Sequence, residues 1–122
     1  MKQFGKELII DCRNVPERIC MDDEKVYDVL MGAARLMGMK IIATSRYRCF
    51  KDSPPGIICF VMVDQSFLYC HSFAKEGYMS LRVFTCGEAD PHKGWAFIRK
   101  ELGFKDFDVR EFVLDYERVK KG

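Results

Sequence analysis

Apolar residues along this chain follow two rhythms, one of period two and one near 3.6, and the changes between them mark out the elements. Residues 8–12 (LIIDC) read as a first strand. Residues 13–22 hold Asn14, Pro16, Asp22 and several charges, and read as a loop. Val26, Val29, Leu30, Ala33 and Met37 then repeat at helical spacing. This predicts a helix over 23–37, capped by Asp22 or Asp23 and ended by Gly38. A second strand begins at 39–43 (MKIIA) and runs through Thr44 toward Phe50, where the segment KDSPPG breaks pairing. The continuously apolar run 57–63 (IICFVMV) predicts a buried central strand. It turns into 67–71 (FLYCH) through a hairpin whose corner includes Gln65 and Ser66.

After a connection at Lys75, Glu76 and Gly77, the residues Met79, Leu81, Val83 and Thr85 alternate with Ser80, Arg82, Phe84 and Cys86. That is a strand with two distinct faces. Asp90-Pro91 opens a second helix that ends near Leu102, with Gly103 beyond it. Residues 107–114 form the last strand, and the tail ERVKKG is solvated. The order β-α-β-β-β-β-α-β has no linker that would split it. It predicts one domain over 1–122, a two-layer α/β sandwich with a mainly antiparallel sheet and two helices.

Composition narrows the function classes. Apolar residues make up 48% and charged residues 31% of the 122, which fits a folded domain. Twenty basic residues against 18 acidic ones leave +2, with no basic stripe, so no nucleic-acid partner is expected. No apolar run approaches the roughly 18 residues of a membrane helix, and no apolar stretch follows the N-terminus as a secretory signal would. The expectation is a cytoplasmic chain with no membrane partner. Gly32 and Gly38 do not form a phosphate loop. Trp95, Phe97 and Ile98 read as core and His92 as surface. Arg46 and Arg48 alternate along a strand, and so share a face open to an acidic ligand, a partner or an interface.

Six cysteines in a short chain invite a disulfide framework. Without a signal, and with Cys12, Cys59, Cys70 and Cys86 inside or at the ends of strands, they read instead as mostly buried thiols. No C-x-x-C pair exists and there are only two histidines, so no metal is expected.

The informative polar residues lie mid-chain. Asp64, Gln65 and Ser66 interrupt an apolar region, His71 follows five residues after Ser66, and Cys86 closes a strand just before Gly87. Two readings stand. In one, Ser66 serves the turn, His71 is a hydrogen-bonded, partly buried residue, and Cys86 is core. In the other, serine, histidine and cysteine converge as a reactive site.

Residues 57–88 carry a resemblance that bears on this choice. An apolar strand leads to Ser66, with His71 five residues later, then Gly77-Tyr78, then Phe84-Thr85-Cys86-Gly87-Glu88. The stretch is similar to the core of the prokaryotic-type, pyruvoyl-dependent S-adenosylmethionine decarboxylases. The opening Phe4-Gly5-Lys6-Glu7-Leu8 before a strand matches in style.

The resemblance implies a self-cleaving proenzyme cut between Gln65 and Ser66. The Ser66 hydroxyl attacks the Gln65 carbonyl, β-elimination cuts the chain, and Ser66 becomes an N-terminal pyruvoyl group, with no metal. The residue matching His71 helps remove the serine α-proton. The pyruvoyl ketone takes the substrate amine as a Schiff base and draws off the electrons left by departing CO₂. The residue matching Cys86 returns a proton. The implied product is the decarboxylated aminopropyl donor of polyamine (spermidine) synthesis. Exposed sheet edges and a limited core predict a homodimer, and the resemblance implies active sites that borrow residues across such an interface.

The chain departs from the pattern at several positions. Gln65 stands where Glu is usual, Phe67 where His is frequent, and Ile58 where a serine assists processing. Lys75 occupies the position of a carboxylate that binds the ribose hydroxyls, with Glu76 one residue along, and lysine has no acceptor. Phe50 matches an aromatic that stacks on adenine. These differences keep two alternatives open: a pyruvoyl-dependent decarboxylase of arginine, ornithine or another amino acid, and a non-catalytic paralogue that partners a decarboxylase subunit.

Overall fold

The structure is a computed structural model that describes residues 3–51 and 53–120. Asp52 in the KDSPPG break and residues 121–122 of the tail lie outside the described residues. In chain order the elements are β1 (Gln3–Arg13), α1 (Glu17–Cys20), α2 (Asp23–Leu36), β2 (Ile41–Cys49), β3 (Gly56–Val63), β4 (Ser66–Phe73), β5 (Tyr78–Cys86), α3 (Pro91–Leu102), β6 (Asp106–Asp115) and α4 (Tyr116–Lys120). The six strands form one antiparallel sheet in the order β2-β3-β4-β5-β1-β6, with α2 and α3 packed on one face. This is the two-layer sandwich that the alternating pattern predicts.

Local signals act where the sequence places them. The Asp22 side chain accepts from the Lys25 N–H at 3.0 Å and starts α2. Asp90 does the same for the His92 N–H at 3.0 Å, with Pro91 in the first turn of α3, and Gly103 ends that helix in the left-handed region at φ 71°. Even-numbered residues of β1 and β4 and odd-numbered residues of β3 and β5 face the helices. There Leu8, Ile10, Leu68, Ile57, Val61, Leu81 and Val83 bury against Val26, Leu30, Ala33, Trp95 and Ile98.

The structure corrects the sequence reading in four places. The 13–22 segment is not all loop: α1 forms there, too short for periodicity to reveal, and buries Ile19 and Cys20. The hairpin corner is Asp64-Gln65, and Ser66 is already the first residue of β4. The tail begins with a helical turn, α4, although its side chains are exposed. Arg46 and Arg48 do share a face, but both lie beside Asp23 at the start of α2, and Arg46 also stacks over the Tyr27 ring. Among the described residues no helix is long and apolar enough to cross a membrane.

Neither α2 nor α3 packs on the second face of the sheet. Cross-strand register sets its side chains in rows. One row runs Ala43, Met62, Phe67, Phe84, Glu7, Phe112 from β2 to β6, and another runs Tyr47, Ile58, His71, Ser80, Asp11, Asp108. Rings stack along the first row and beside it, Phe60 on Phe67 at 5.7 Å and Phe67 on Phe84 at 5.5 Å between centroids. Ile58, Met62 and Phe112 stay exposed.

Candidate functional site

The β3–β4 turn and the end of β5 meet at one edge of the sheet. A two-residue connection between antiparallel strands needs a left-handed residue to match their twist. Gln65 supplies it at φ 61°, a conformation that disfavours side chains other than glycine, asparagine and aspartate. Ser66 follows immediately and is 6% exposed. Its Oγ accepts the Cys86 backbone N–H at 2.8 Å, and the Cys86 Sγ donates to Gln65 Oε1 at 3.7 Å. Cys86 therefore holds the side chains of both Gln65 and Ser66. The end of β5 is itself fixed: the Gly87 N–H donates to the Phe4 carbonyl at 2.9 Å, and Thr85 Oγ1 donates to the Ala89 carbonyl at 3.0 Å.

His71 is not in this cluster. It lies five residues along β4, roughly 16 Å at about 3.3 Å per residue. By parity it projects from the helix-free face, whereas the Ser66 hydroxyl is on the helix side. Its ring packs on Phe73 at 4.4 Å between centroids, with Ile58 directly opposite on β3 and Ser80 directly opposite on β5. A cavity of about 320 Å³ opens beside it, lined chiefly by Tyr47, Cys49, Pro54, Ile58, His71 and Phe73. Among the described residues no carboxylate lines it. Phe50, Lys75 and Glu76 do not line it either. Phe50 is exposed beyond β2 with the Arg48 guanidinium over its ring, and Lys75 and Glu76 sit exposed in the turn before β5.

The cysteines divide by environment. Among the described residues none is in a disulfide. Burial pushes Cys12 and Cys59 up to about 12 and Cys20 to about 11, and burial likewise raises Cys70. These four thiols stay protonated in the core and are inert at neutral pH. Only Cys49 and Cys86 are partly exposed. Among the described residues no three histidine, cysteine or carboxylate side chains gather to hold a metal ion.

The sequence reading singled out Ser66, His71 and Cys86 and missed Tyr47, Cys49 and Ser80. It noted Ser80 only as one of an alternating set. Its place beside His71 depends on strand register, which no local pattern carries.

A left-handed Gln65 at a hairpin corner, followed by a strand-start serine that a strand-end cysteine holds, sets the candidate site in an α/β sandwich. Comparison with known proteins gives that arrangement its family. The family model described as S-adenosylmethionine decarboxylase matches residues 6–113. The S-adenosylmethionine decarboxylase proenzyme of Pyrococcus furiosus is 30% identical over 118 residues, covering 96% of this chain and 83% of that protein. The proenzyme of Methanococcus maripaludis is 27% identical over 125 residues, covering 99% and 100%. The crystal structure of the adenosylmethionine decarboxylase from Aquifex aeolicus superposes with a TM-score of 0.83 over 95% of this chain and 94% of that one, at 20% identity, which is a likeness of fold. The chain belongs to the S-adenosylmethionine decarboxylase family.

Proposed function

We propose that this chain cuts itself between Gln65 and Ser66 and acts, as a homodimer, as a pyruvoyl-dependent decarboxylase of S-adenosylmethionine. The observation that carries the reading is the contact of Cys86 with the side chains flanking the proposed scissile peptide, 2.8 Å from its N–H to Ser66 Oγ and 3.7 Å from its thiol to Gln65 Oε1.

The cleavage steps balance with groups of the chain and one water. Ser66 Oγ forms a bond to the Gln65 carbonyl carbon, the peptide C–N bond breaks, and the hydroxyl proton passes to the freed amine. A base removes the Ser66 α-proton, the Cβ–Oγ bond breaks, and Gln65 leaves as a carboxylate. Water then displaces ammonia and leaves the ketone. The Cys86 N–H holds Oγ in place for the first step. Once formed, the pyruvoyl ketone supplies an electron sink for a substrate amine that loses CO₂. The Cys86 thiol, beside the same bond, is the proton donor to the product carbon.

The base is His71, and it comes from a second copy. Within one chain His71 is roughly five strand residues from Ser66 and on the other face. The helix-free face, lined by Ile58, Phe60, Met62, Phe67, Phe84 and Phe112, is apolar enough to pack against its own counterpart. Packed so, the partner subunit's His71 and its cavity meet the Ser66–Cys86 end. The cavity favours S-adenosylmethionine over arginine, ornithine or lysine. Its apolar walls suit a purine ring, and among the described residues no lining carboxylate offsets a guanidinium or ammonium group.

Intact-mass measurement after prolonged incubation tests the first step and should show fragments of 65 and 57 residues. CO₂ release by the cleaved protein tests the second. Full-length mass alone refutes autonomous cleavage and favours a non-catalytic paralogue. Release from arginine or ornithine and none from S-adenosylmethionine refutes the substrate.

A further inference from the structure

The segment that follows β1 and the segment that follows α3 meet at the end of the sheet away from Ser66 and Cys86. Local chemistry fixes both. Asn14 turns the chain at φ 55° and Gly103 at φ 71°. The Val15 N–H donates to the Gly77 carbonyl at 2.9 Å, and the N–H groups of Gly103 and Phe104 both donate to the Arg99 carbonyl, at 2.9 and 3.2 Å. Asp106 ties one segment to the other: Arg13 Nη2 donates to its Oδ1 at 2.9 Å and Asn14 Nδ2 to its Oδ2 at 2.9 Å. Between the two segments lies a cavity of about 510 Å³. It shares no lining residue with the cavity beside His71. Its size falls in the roughly 300–1,000 Å³ range of ligand pockets, which are largely formed before the ligand arrives.

The lining has an apolar part and a charged part. Val15, Ile19, Leu102 and Phe104 are buried and form the apolar part. Arg13, Arg18, Lys105 and Asp106 carry the charge, and they are not equivalent. Asp106 already accepts from Arg13 and Asn14, and Arg13 also pairs with Asp108 at 2.7 Å, so these charges close on one another. Arg18 and Lys105 are exposed and, among the described residues, make no ion pair. Two cations without a counter-charge beside an apolar lining suit an anionic group on an apolar body. A cationic amine would meet two like charges and one carboxylate that is already engaged.

We propose that this cavity is a second binding site, for a small organic anion: a carboxylate or phosphate held by Arg18 and Lys105, carried on an apolar body that packs on Ile19 and Phe104. The site contains none of Gln65, Ser66, His71 and Cys86, so it stands whether or not the chain cuts itself.

The test is a titration of the full-length Ser66→Ala chain, a single uncut species, with 1-naphthoate and with 1-naphthyl phosphate at low salt, followed by ¹H–¹⁵N amide spectra. Both probes should move amides within 14–19 and 102–106 in a saturable way and leave those beside Cys86 in place, and the tighter of the two identifies the anionic group. 1-Naphthol supplies the ring without the charge and inorganic phosphate the charge without the ring, and each should bind about tenfold more weakly or less. Arg18→Glu combined with Lys105→Glu reverses both free charges on exposed side chains, so the fold stays intact while affinity for both probes falls about tenfold. No saturable movement in those two segments, or movement confined to the helix-free face, overturns the site. Movement that 1-naphthol reproduces at equal affinity, or that survives the double reversal undiminished, overturns the anion. Equal binding of inorganic phosphate overturns the part given to the apolar lining.

Discussion

Replacing Cys86 separates its side chain from its backbone, because the proposed mechanism gives the two different tasks at Gln65–Ser66. The main-chain N–H that holds Ser66 Oγ at 2.8 Å survives any side-chain substitution except proline. The thiol is half-buried, and its one hydrogen bond is the 3.7 Å contact to Gln65. Such an S–H···O contact contributes well under about 1 kcal/mol. Cys86→Ala and Cys86→Ser should therefore lower the melting temperature by no more than about 4 °C, at roughly 4 °C per kcal/mol for a chain of this size. Both should still cut at Gln65–Ser66. Turnover is another matter. A serine hydroxyl is far too weak an acid to replace a thiol, and alanine gives no proton at all, so decarboxylation should fall by about 10²- to 10⁴-fold, the range of a lost general acid. Intact mass reads cleavage, thermal unfolding reads stability, and CO₂ release from S-adenosylmethionine reads turnover, all on one preparation. Normal turnover in both variants would refute the thiol as proton donor. Blocked cleavage in both would show that the thiol, rather than the N–H, governs the first step.

Ser66→Ala removes the attacking hydroxyl and should leave only full-length mass, and any cleavage in it excludes the serine chemistry. Ser72→Ala should destabilise by about 2–4 kcal/mol, because it strips an acceptor from the Ile57 N–H and a donor from the Cys20 carbonyl in a site 2% exposed; a melting shift under a few degrees would count against that accounting. The Tyr78 phenol is raised above its ordinary value, first by its bond to Asp11 and then by burial, with the Ser80 hydroxyl drawing it part of the way back. A raised phenol stabilises the fold below about pH 10 and loses that contribution as pH climbs through the folded value. Tyr78→Phe should thus flatten the alkaline limb of a stability–pH curve, and an unchanged limb contradicts the bond. Light scattering should give a dimer at micromolar concentration in the precursor and the cleaved form, and a monomer in both removes the composite site.

Much of the fold was legible because local chemistry and tertiary packing agree. The alternation in 79–86 and the helical spacing of Val26, Val29, Leu30 and Ala33 report the same helix-facing side that the structure buries. Asp90-Pro91 and Gly103 mark the ends of α3 within a residue. What was not legible depends on neighbours distant in sequence. The helical turn α1 forms where Ile19 and Cys20 reach the core, not where propensity favours it. Arg46 and Arg48 looked like a free basic face until α2 placed Asp23 beside them.

For the candidate site, the sequence named residues but misled on their arrangement. Five residues between Ser66 and His71 look like proximity, but in an extended strand an odd spacing puts two side chains on opposite faces and roughly 16 Å apart. Twenty residues between Ser66 and Cys86 look like distance, yet antiparallel pairing of β4 with β5 returns the chain to within a hydrogen bond. The same register that parts His71 from Ser66 seats it between Ile58 and Ser80, at the mouth of a cavity that Ser66 does not line. A serine with its cysteine at one end of a sheet, and a histidine with its cavity on a face that no helix covers, are halves of a site that one chain cannot join. In the proposed homodimer, two copies packed through that face would join them twice. On this reasoning Phe60, Met62 and Phe67 keep their apolar character for catalysis as well as for association, and a charged residue at Met62 should abolish cleavage and dimer together while leaving the helix-side core intact.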